Sequence, residues 1–382
     1  MREGEPRPAT LEGFARQYGL SPDVVVSAPG RVVVVGDHTD YQGGCALAVA
    51  VAASVEVAVR QRPDDMVRWA SATTGERAQA TVAALRETAA RRPLQGLLGF
   101  VAAVFNLLGR DRGADIFVDS TLPVGAGLSS SAALSLALAR SLAPEEEGSA
   151  LEWGRLAQAV ENEYLGIPSG VLDQLAIIHA REGAAVHIDA TENRGVPVPF
   201  DWASGDRRLW VVDTGEARRL RDVPYAERVA QAEAARAALG VRSLRYAEQE
   251  AVEQLDDPLL RRRARHIVEE NRRVEAVRAA AARSAWDEVA ALLRASHASL
   301  RDQYEVSTPR LDATVDCLDA LDGGLGARLT GAGFGGSVVA LGLARMDGPL
   351  REALAALYRD QGWPPPAVMA VPSPAAGLRR LR

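Results

Sequence analysis

The chain has 382 residues, 47% of them hydrophobic and 25% charged, and its formal net charge is −6 at pH 7. This length predicts two domains, or one large domain, with enough interior to form a cleft, and the negative charge argues against nucleic acid as the main partner. Because Cys45 and Cys317 lie far apart and the five histidines are scattered, we expect neither a disulfide framework nor a cysteine or histidine metal site.

The basic residues are all arginines, because the chain contains 44 basic residues and no lysine. This composition excludes the phosphate sites that require lysine, namely the GxxxxGK[ST] loop and the strand lysine of protein kinases. The polar N-terminus has no secretory pattern, and the longest apolar run, 45–59, is too short for a membrane span of ~20 residues. We therefore expect a cytoplasmic protein without membrane contact.

The first elements in chain order are strands, predicted over residues 23–59, where β-branched runs at 24–26 and 32–35 flank a Pro29-Gly30 turn. A polar loop at 38–44 precedes the second apolar run. The elements predicted next are a helical region at 78–109, a strand at 114–120, a glycine-rich loop at 122–129, and helices at 130–142 and 151–165.

The rest of the chain also alternates between the two kinds of element. Helices are predicted at 170–182, 226–239, 245–298 and 309–321, and strands at 184–189, 208–213 and 335–342. Such interleaving predicts an α+β or α/β protein. The proline-rich stretch at 196–202 is the best candidate for a domain junction.

The glycine- and serine-rich segment at 123–133 is the first candidate for a functional site, since it lies between a predicted strand and a predicted helix. Glycines allow the backbone to approach a phosphate, the helix N-terminus attracts its charge, and a serine hydroxyl can bind magnesium. The alternative is a tight turn with a serine N-cap, which needs no ligand.

A second glycine-rich segment, 331–336, matches GxGxxG but does not predict a dinucleotide site. That pattern requires a following helix, whereas residues 337–341 form a strand-like apolar run. We expect these glycines to line a crowded site or to form a tight hairpin.

Arg31 and residues 36–41, which lead into the polar loop, form another candidate site directly after a buried strand. Aspartate accepts hydrogen bonds and histidine donates or accepts them, so both suit the hydroxyls of a sugar. The alternative is a solvated loop, although functional residues often gather at such positions.

Two carboxylates, Glu161 and Asp173, lie on either side of the predicted helix break at 166–170. Each alone would more often be a surface group, but Asp173 stands among apolar residues and should be paired or functional. The arginine-rich helix around 261–266 is followed by Glu269, Glu270 and Glu275. We interpret this helix as a solvated face with local ion pairs rather than a nucleic-acid site.

Together these segments resemble the galactokinases, within the superfamily of galactose, homoserine, mevalonate and phosphomevalonate (GHMP) kinases. The matching motifs are residues 30–44, 125–132, 296–307 and 329–336, in order over roughly residues 20–345. The resemblance implies an α+β, two-domain GHMP kinase fold: an N-terminal ribosomal-S5-like α+β domain over 1–195, which binds ATP and sugar, and a C-terminal ferredoxin-like domain over 196–382. The site would lie in the cleft between them.

The resemblance also implies a role for each matching residue. Asp173 would accept the proton of the sugar C1 hydroxyl, and Arg31 would keep that aspartate ionised and stabilise the transferring phosphoryl group. Ser131 and Glu161 would bind magnesium. The phosphates of ATP would lie against Gly125, Ala126, Gly127, Leu128, Ser129, Ser130 and Ser131. The sugar would bind at Asp37, His38, Thr39, Asp40 and Tyr225.

Some positions depart from the family pattern and leave the sugar open. Asp37 replaces the usual glutamate, Gln42 replaces a common asparagine, and 218–219 are arginines where a histidine is frequent. The expected partner is a small sugar, bound by a monomer or small homo-oligomer with ATP and magnesium. The function implied is a galactose 1-kinase. Alternatives are a kinase for galacturonate, arabinose or N-acetylgalactosamine, or a sensor that binds galactose and ATP without turnover.

Overall fold

The computed structural model describes residues 5–123, 127–143, 148–167, 169–217, 224–323 and 326–382. The helices are α1 (Pro8–Tyr18), α2 (Val82–Ala89), α3 (Gly96–Leu107), α4 (Ser130–Leu142), α5 (Ala150–Ala159), α6 (Leu172–His179), α7 (Pro224–Leu239), α8 (Gln249–Glu253), α9 (Pro258–Ala282), α10 (Trp286–Asp302), α11 (Pro309–Asp319) and α12 (Asp347–Asp360). The strands are β1 (Val24–Val35), β2 (Cys45–Gln61), β3 (Met66–Ser71), β4 (Arg77–Thr81), β5 (Ala114–Ser120), β6 (Ala184–Asp189), β7 (Arg194–Pro199), β8 (Arg207–Asp213), β9 (Gly326–Thr330), β10 (Ser337–Leu343), β11 (Ala367–Val371) and β12 (Arg379–Arg380). This mixture confirms the α+β class.

The long strand β2 organises the larger sheet, whose main order is β12-β1-β2-β5-β3-β4. Its first residues pair with β6, and its last residues pair with β5, while β1 lies along its other edge. Both β1 and β2 are rich in valine and alanine and buried on both faces, as expected for central strands covered by helices. The polar loop between them is therefore held at one end of a rigid element.

The second sheet has the order β11-β8-β10-β9, and all its pairs are antiparallel. One hydrophobic cluster joins the two sheets, because it contains residues of β1 and β2 together with residues of β8, α9 and α10. In the part of the chain that the structure describes, no helix has the length and apolar character needed to cross a membrane.

Several predicted elements differ from the structure. The helical region at 78–109 begins as strand β4 and then forms two helices, and the region at 245–298 forms three. The missed helix start at Asp257-Pro258 has a recognisable signal, since the Asp257 carboxylate caps the amide of Leu259 at 2.8 Å and proline occupies the first turn. Sequence analysis also missed β3, β7, β9, β11, α1 and α12.

The proline-rich stretch at 196–202 does not form a free linker at its start. Residues 194–199 are the edge strand β7, which pairs with β6 in the larger sheet, and an edge strand tolerates prolines such as Pro197 and Pro199. The second sheet begins at Arg207. A division of the chain at 195/196 remains a proposal.

Candidate active site

An ion pair between Arg31 and Asp173 lies at the centre of the candidate site. Arg31 follows a bulge in β1, where the register with β2 shifts after Pro29, and bulges redirect side chains. Its Nε donates to Asp173 Oδ1 at 2.7 Å, and its Nη2 lies 2.6 Å from the same oxygen. Asp173 begins α6 and keeps a quarter of its side chain exposed. Solvent can therefore reach the carboxylate of the pair, whereas the guanidinium is almost wholly buried.

The glycine-rich loop is fixed to this ion pair by both backbone and side chain. Arg31 Nη1 donates to the carbonyl of Gly127 at 2.8 Å, and the Arg31 amide donates to that of Leu128 at 3.1 Å. Ser129 has a left-handed backbone, φ 58°, and does not cap α4 with its side chain. Its hydroxyl instead donates to Asp173 Oδ2.

Ser129 therefore does not act as a side-chain N-cap, because its hydroxyl donates to the Asp173 carboxylate and forms no hydrogen bond to an amide of α4. Ser130 begins α4, so the helix N-terminus opens beside the ion pair. Gly125 and Ala126 lie outside the described residues.

Ser131 and Glu161 also meet, as the resemblance implies. The Ser131 hydroxyl donates to Glu161 Oε1 at 2.5 Å, while Glu161 Oε2 accepts from Ser169 Oγ at 2.9 Å and from Gln174 Nε2 at 2.7 Å. Glu161 lies in a π-helical turn, a feature often found at functional sites. Burial raises the pKa of Glu161 despite these bonds. A nearby cation would offset that cost, and an all-oxygen donor set fits magnesium.

Asp37 is held by residues of the second sheet. Arg328 Nη2 donates to Asp37 Oδ2 at 2.5 Å, and the amide of Gly331 donates to Oδ1 at 3.1 Å. Arg328 is wholly buried and also donates to the carbonyl of Val34 at 2.8 Å. Both carboxylate oxygens of Asp37 thus have partners within the protein.

His38 has a left-handed backbone and a neutral ring. Burial lowers its pKa to about 3. Its Nε2 lies 3.2 Å from the carbonyl of Ala332 and its Nδ1 3.1 Å from the hydroxyl of Tyr41. Because a carbonyl only accepts, Nε2 carries the proton and Nδ1 accepts from Tyr41. A sugar hydroxyl that bound the ring would have to displace one of these bonds.

Thr39 is fully buried and its hydroxyl lies 3.0 Å from the carbonyl of Gly36 and 2.9 Å from that of Cys45. The Thr39 hydroxyl has one proton, which it shares between these two acceptors on either side of the polar loop. The bonds close the polar loop upon itself, so the side chain of Thr39 shapes the loop.

Asp40 differs from the other carboxylates of the site. Among the described residues no arginine or histidine forms an ion pair with it, and burial, with the charges of Asp173 and Asp37, raises its pKa to about 6. Gly170 lies so close that a side chain there would collide with the Asp40 carboxylate. The carboxylate therefore lies against Gly170 and near Asp173 at the start of α6.

Tyr225 comes from α7 and completes the sugar-binding positions that the resemblance implies. Its ring centroid is 5.8 Å from that of His38 and 6.2 Å from that of Tyr41. Burial and the nearby Asp40 raise the pKa of its hydroxyl, which stays protonated. Residues 218–219, where the family pattern changes, lie outside the described residues.

The interpretation of the helix around 261–266 as a solvated face holds for Arg262 and Arg265, which are partly exposed and ion-paired, but it is wrong for the buried face of the helix. Arg263, His266 and Glu270 are almost wholly buried, although the expected local ion pairs exist between Arg273 and both Glu269 and Glu270. Glu270 Oε1 accepts from the amide of Gly36 at 3.0 Å. The signal that could have shown this is the i, i+4 spacing of His266 and Glu270, on one face with the apolar positions of α9.

The segment at 331–336 is the hairpin loop between the antiparallel strands β9 and β10. This confirms that it is not a dinucleotide turn, as predicted. It is also crowded, because the Gly331 amide binds Asp37, the Ala332 carbonyl binds His38, and the Phe334 amide binds the carbonyl of Val306 at 2.8 Å.

Models of known families match three parts of the chain. The GHMP kinases N terminal domain matches residues 96–181, the GHMP kinases C terminal model matches 277–360, and the galactokinase galactose-binding signature matches 12–61. Both halves thus belong to the GHMP kinase class, and the predicted two-domain GHMP kinase fold is confirmed.

Individual relatives show which family within the GHMP kinase class the chain resembles. The galactokinase of Streptomyces coelicolor is 38% identical over 97% of both chains, and that of Roseiflexus sp. is 38% identical over 91% of both. The crystal structure of Lactococcus lactis galactokinase complexed with galactose has a TM-score of 0.86 and 28% identity, covering 97% of this chain and 98% of that one. The Methanococcus jannaschii mevalonate kinase, at 18% identity and a TM-score of 0.67 over 92% of this chain and 98% of its own, shares the fold. The chain belongs to the galactokinase family, whose members are ATP-dependent kinases.

Proposed function

We propose that the protein transfers the γ-phosphate of ATP to the C1 hydroxyl of galactose, giving galactose 1-phosphate and ADP. The observation that carries this proposal is the Arg31–Asp173 ion pair, which is fixed to the glycine-rich loop and lies near Asp40 and Tyr225. Its similarity to the galactokinases, including the Lactococcus lactis enzyme complexed with galactose, supports galactose as the acceptor.

Asp173 would act on the acceptor hydroxyl. Its carboxylate has lone pairs left beyond those used by Arg31 and Ser129, and one of them takes the C1 hydroxyl proton as the sugar oxygen bonds to the γ-phosphorus. The bond from that phosphorus to the bridging oxygen breaks, and ADP leaves with the electron pair. Arg31 pairs with the carboxylate and would stabilise the charge on the phosphoryl group in transfer, so positioning and electrostatics supply the catalysis.

The ATP phosphates would lie along residues 125–131, where the N-terminus of α4 and free amides favour negative charge. Magnesium bound with ATP would neutralise phosphate charge. Ser131 and Glu161 would hold it, since their oxygens already meet and burial raises the pKa of Glu161, a cost that a bound cation would offset.

The sugar hydroxyls would bind chiefly to Asp40 and Tyr225. Asp40 accepts from backbone amides but has no cation partner among the described residues, whereas Asp37 is paired with Arg328 and the polar side-chain groups of His38 and Thr39 bond to other protein groups. We propose that these three mainly shape the pocket wall.

A kinase for another sugar is the second candidate. Asp37, shorter than the usual glutamate, is drawn back by Arg328 and Gly331, which leaves more room at the outer hydroxyls and favours a different or broader acceptor range. A non-catalytic sensor is less well supported, because Arg31, Asp173 and Glu161 are all present and engaged with the loop. We further propose that the enzyme works in the cytoplasm, where ATP is available, as a monomer or small homo-oligomer.

The test is ADP release with ATP and magnesium, over galactose, galacturonate, arabinose, N-acetylgalactosamine and glucose. Asp173→Asn keeps the shape but removes the base, so we expect turnover to fall by about 10²–10⁴-fold while calorimetry shows galactose still bound. Asp287→Asn is the matched control, because Asp287 is 90% exposed and pairs with Arg207 at the surface.

Near-normal turnover in Asp173→Asn would remove Asp173 from the mechanism. Turnover on a sugar other than galactose would preserve the mechanism and assign the change of specificity to the Asp37 end of the pocket. Sugar binding without ADP release by the unaltered protein would favour the sensor.

A further inference from the structure

Behind the sugar-binding loop, three metal-ligating side chains converge from three elements. The donor atoms of Cys45 on β2, His187 on β6 and Glu275 on α9 all lie within 4.8 Å of one another. His187 Nε2 is 2.8 Å from Glu275 Oε1. The thiol is buried, the imidazole is about one-fifth exposed and the carboxylate is about half exposed, so solvent reaches the cluster mainly at the carboxylate.

The strand register brings these residues together. Cys45 pairs with Asp189 and Leu47 pairs with His187 in the antiparallel β2–β6 ladder. Cys45 and His187 are therefore diagonal neighbours, close enough for their side chains to meet. Helix α9 lies across this ladder, and its Asn271, one turn before Glu275, accepts from the Cys45 amide at 2.8 Å.

The donor set fits a borderline divalent ion better than magnesium. Thiolate, imidazole and carboxylate are the three ligand types of protein zinc sites, with ligand distances of about 2.0–2.3 Å. Ligands at such distances stand about 3.3–3.8 Å apart in a tetrahedron. The more distant donors therefore need to approach by at most about 1.5 Å, and the His187 and Glu275 donors need to separate by about 0.5 Å. The thiolate and the carboxylate would together balance the charge of a divalent ion.

The neighbouring charges leave this set available. Arg278 binds Glu275 through Oε2, at 2.7 Å, which leaves Oε1 facing the imidazole. Asp189, another carboxylate near the thiol, is held by Arg245 at 2.7 and 2.8 Å. We propose that Cys45, His187 and Glu275 form a second metal site, which binds zinc or a similar thiophilic divalent ion with water in the fourth position.

Binding would release the thiol proton to solvent and replace the hydrogen bond between His187 and Glu275 with two metal bonds. The proposed site would contradict the expectation that cysteine and histidine metal sites are absent, and sequence spacing could not have shown it because its ligands are distant along the chain. It would also tie β2 and β6 to α9, next to the Cys45 carbonyl that receives the hydroxyl of Thr39.

The experiment uses cobalt(II) as the probe on the full chain after chelator treatment. We expect one equivalent of cobalt to give a thiolate-to-cobalt charge-transfer band, which zinc then abolishes by displacement. Cobalt bound at Ser131 and Glu161 would give no such band, because both side chains bind through oxygen and the band requires a thiolate ligand. Cys45→Ser should lose the band, whereas Cys317→Ser, the matched control at the only other cysteine, should retain it.

The Glu275→Gln variant should fold normally, because it alters a half-exposed side chain. It therefore tests the ligand set even if the Cys45→Ser variant fails to fold. It should weaken zinc binding at least about tenfold. Absence of the band in the unaltered protein, its survival in Cys45→Ser, or its loss in Cys317→Ser would each overturn the proposal. Unchanged zinc affinity in Glu275→Gln would overturn the assigned ligand set.

Discussion

At the residue scale, three neighbouring aspartates of the candidate site differ in their partners. Asp173 is paired with Arg31, Asp37 is paired with Arg328, and Asp40 has no cation partner within the described residues. A carboxylate that is ionised and unpaired in a partly dry site binds hydroxyl donors strongly, because it has lost water contacts that they replace. Asp40 is therefore the residue whose protonation should control sugar affinity.

We predict that galactose binding weakens as pH falls below about 6, the raised pKa of Asp40. Protonation removes the negative charge of Asp40 and turns one of its carboxylate oxygens into a hydrogen-bond donor. The Kd for galactose should therefore rise by roughly tenfold for each pH unit below that value. His38, with a pKa of about 3, stays neutral throughout. Calorimetric titration between pH 5 and 8, without ATP, measures this effect.

Asp40→Asn is the control for that titration, since it should bind galactose weakly and show a flat profile. A profile of the same shape in the variant would assign the titration to another group. For stability the sign is opposite: because its folded pKa is raised, Asp40 contributes stability that is present below its unfolded pKa near 4 and is lost as pH rises through about 6.

At the element scale, the sequence predicted those parts of the site that are local along the chain. The glycine-rich loop, the strand before the polar loop and the break between Glu161 and Asp173 all have signals within a few residues. The roles of Glu270 and Arg328 depend on contacts with Gly36 and Asp37 more than 200 positions away. A charged helix is normally solvated, and nothing local shows that β1 and its loop will cover this one.

Helix α9 supports the start of the polar loop through Glu270. This carboxylate is fully buried and accepts from the Gly36 amide at 3.0 Å, from Ser296 Oγ at 2.6 Å and from Arg273 Nη1 at 2.5 Å. Although burial alone would raise its pKa, nearby His266, Arg328 and Arg273 hold it at about 2. The loop is thus anchored to a buried, ionised side chain of the other half of the chain.

We predict that Glu270→Gln lowers the free energy of unfolding by about 3 kcal/mol, because the amide leaves Arg273 without its buried partner and directs a donor at other donors. Galactose affinity should fall as well, since Gly36 precedes the sugar-binding residues. Urea unfolding and calorimetry measure the two effects.

Glu269→Gln offers a matched control on the same helix. Glu269 also binds Arg273, at 2.6 Å, but it is a third exposed, so its loss should change stability by no more than about 1 kcal/mol. Equal effects of the two substitutions would show that Glu270 acts only as a partner of Arg273 and not as an anchor of the loop.

At the scale of the whole molecule, the two sheets share both the site and the core. Arg328 of β9 donates to the Val34 carbonyl and to Asp37, and Thr330 Oγ1 donates to the Val33 carbonyl at 2.9 Å. The hydrophobic cluster that includes β1 and β2 continues into β8, α9 and α10. Neither half could separate without exposing that core and breaking the buried Asp37–Arg328 pair.

We therefore predict one cooperative thermal transition, with a calorimetric enthalpy equal to the van't Hoff enthalpy, although chains of this length often unfold in steps. Galactose contacts residues from both halves in the proposed function, so it should shift the whole transition upward with concentration, in proportion to RT ln(1 + [L]/Kd). Asp40→Asn should show a smaller shift at equal galactose. Two resolved transitions, of which galactose moves only one, would contradict this prediction, because they would mean that the halves hold their cores separately and that the sugar binds to one of them alone.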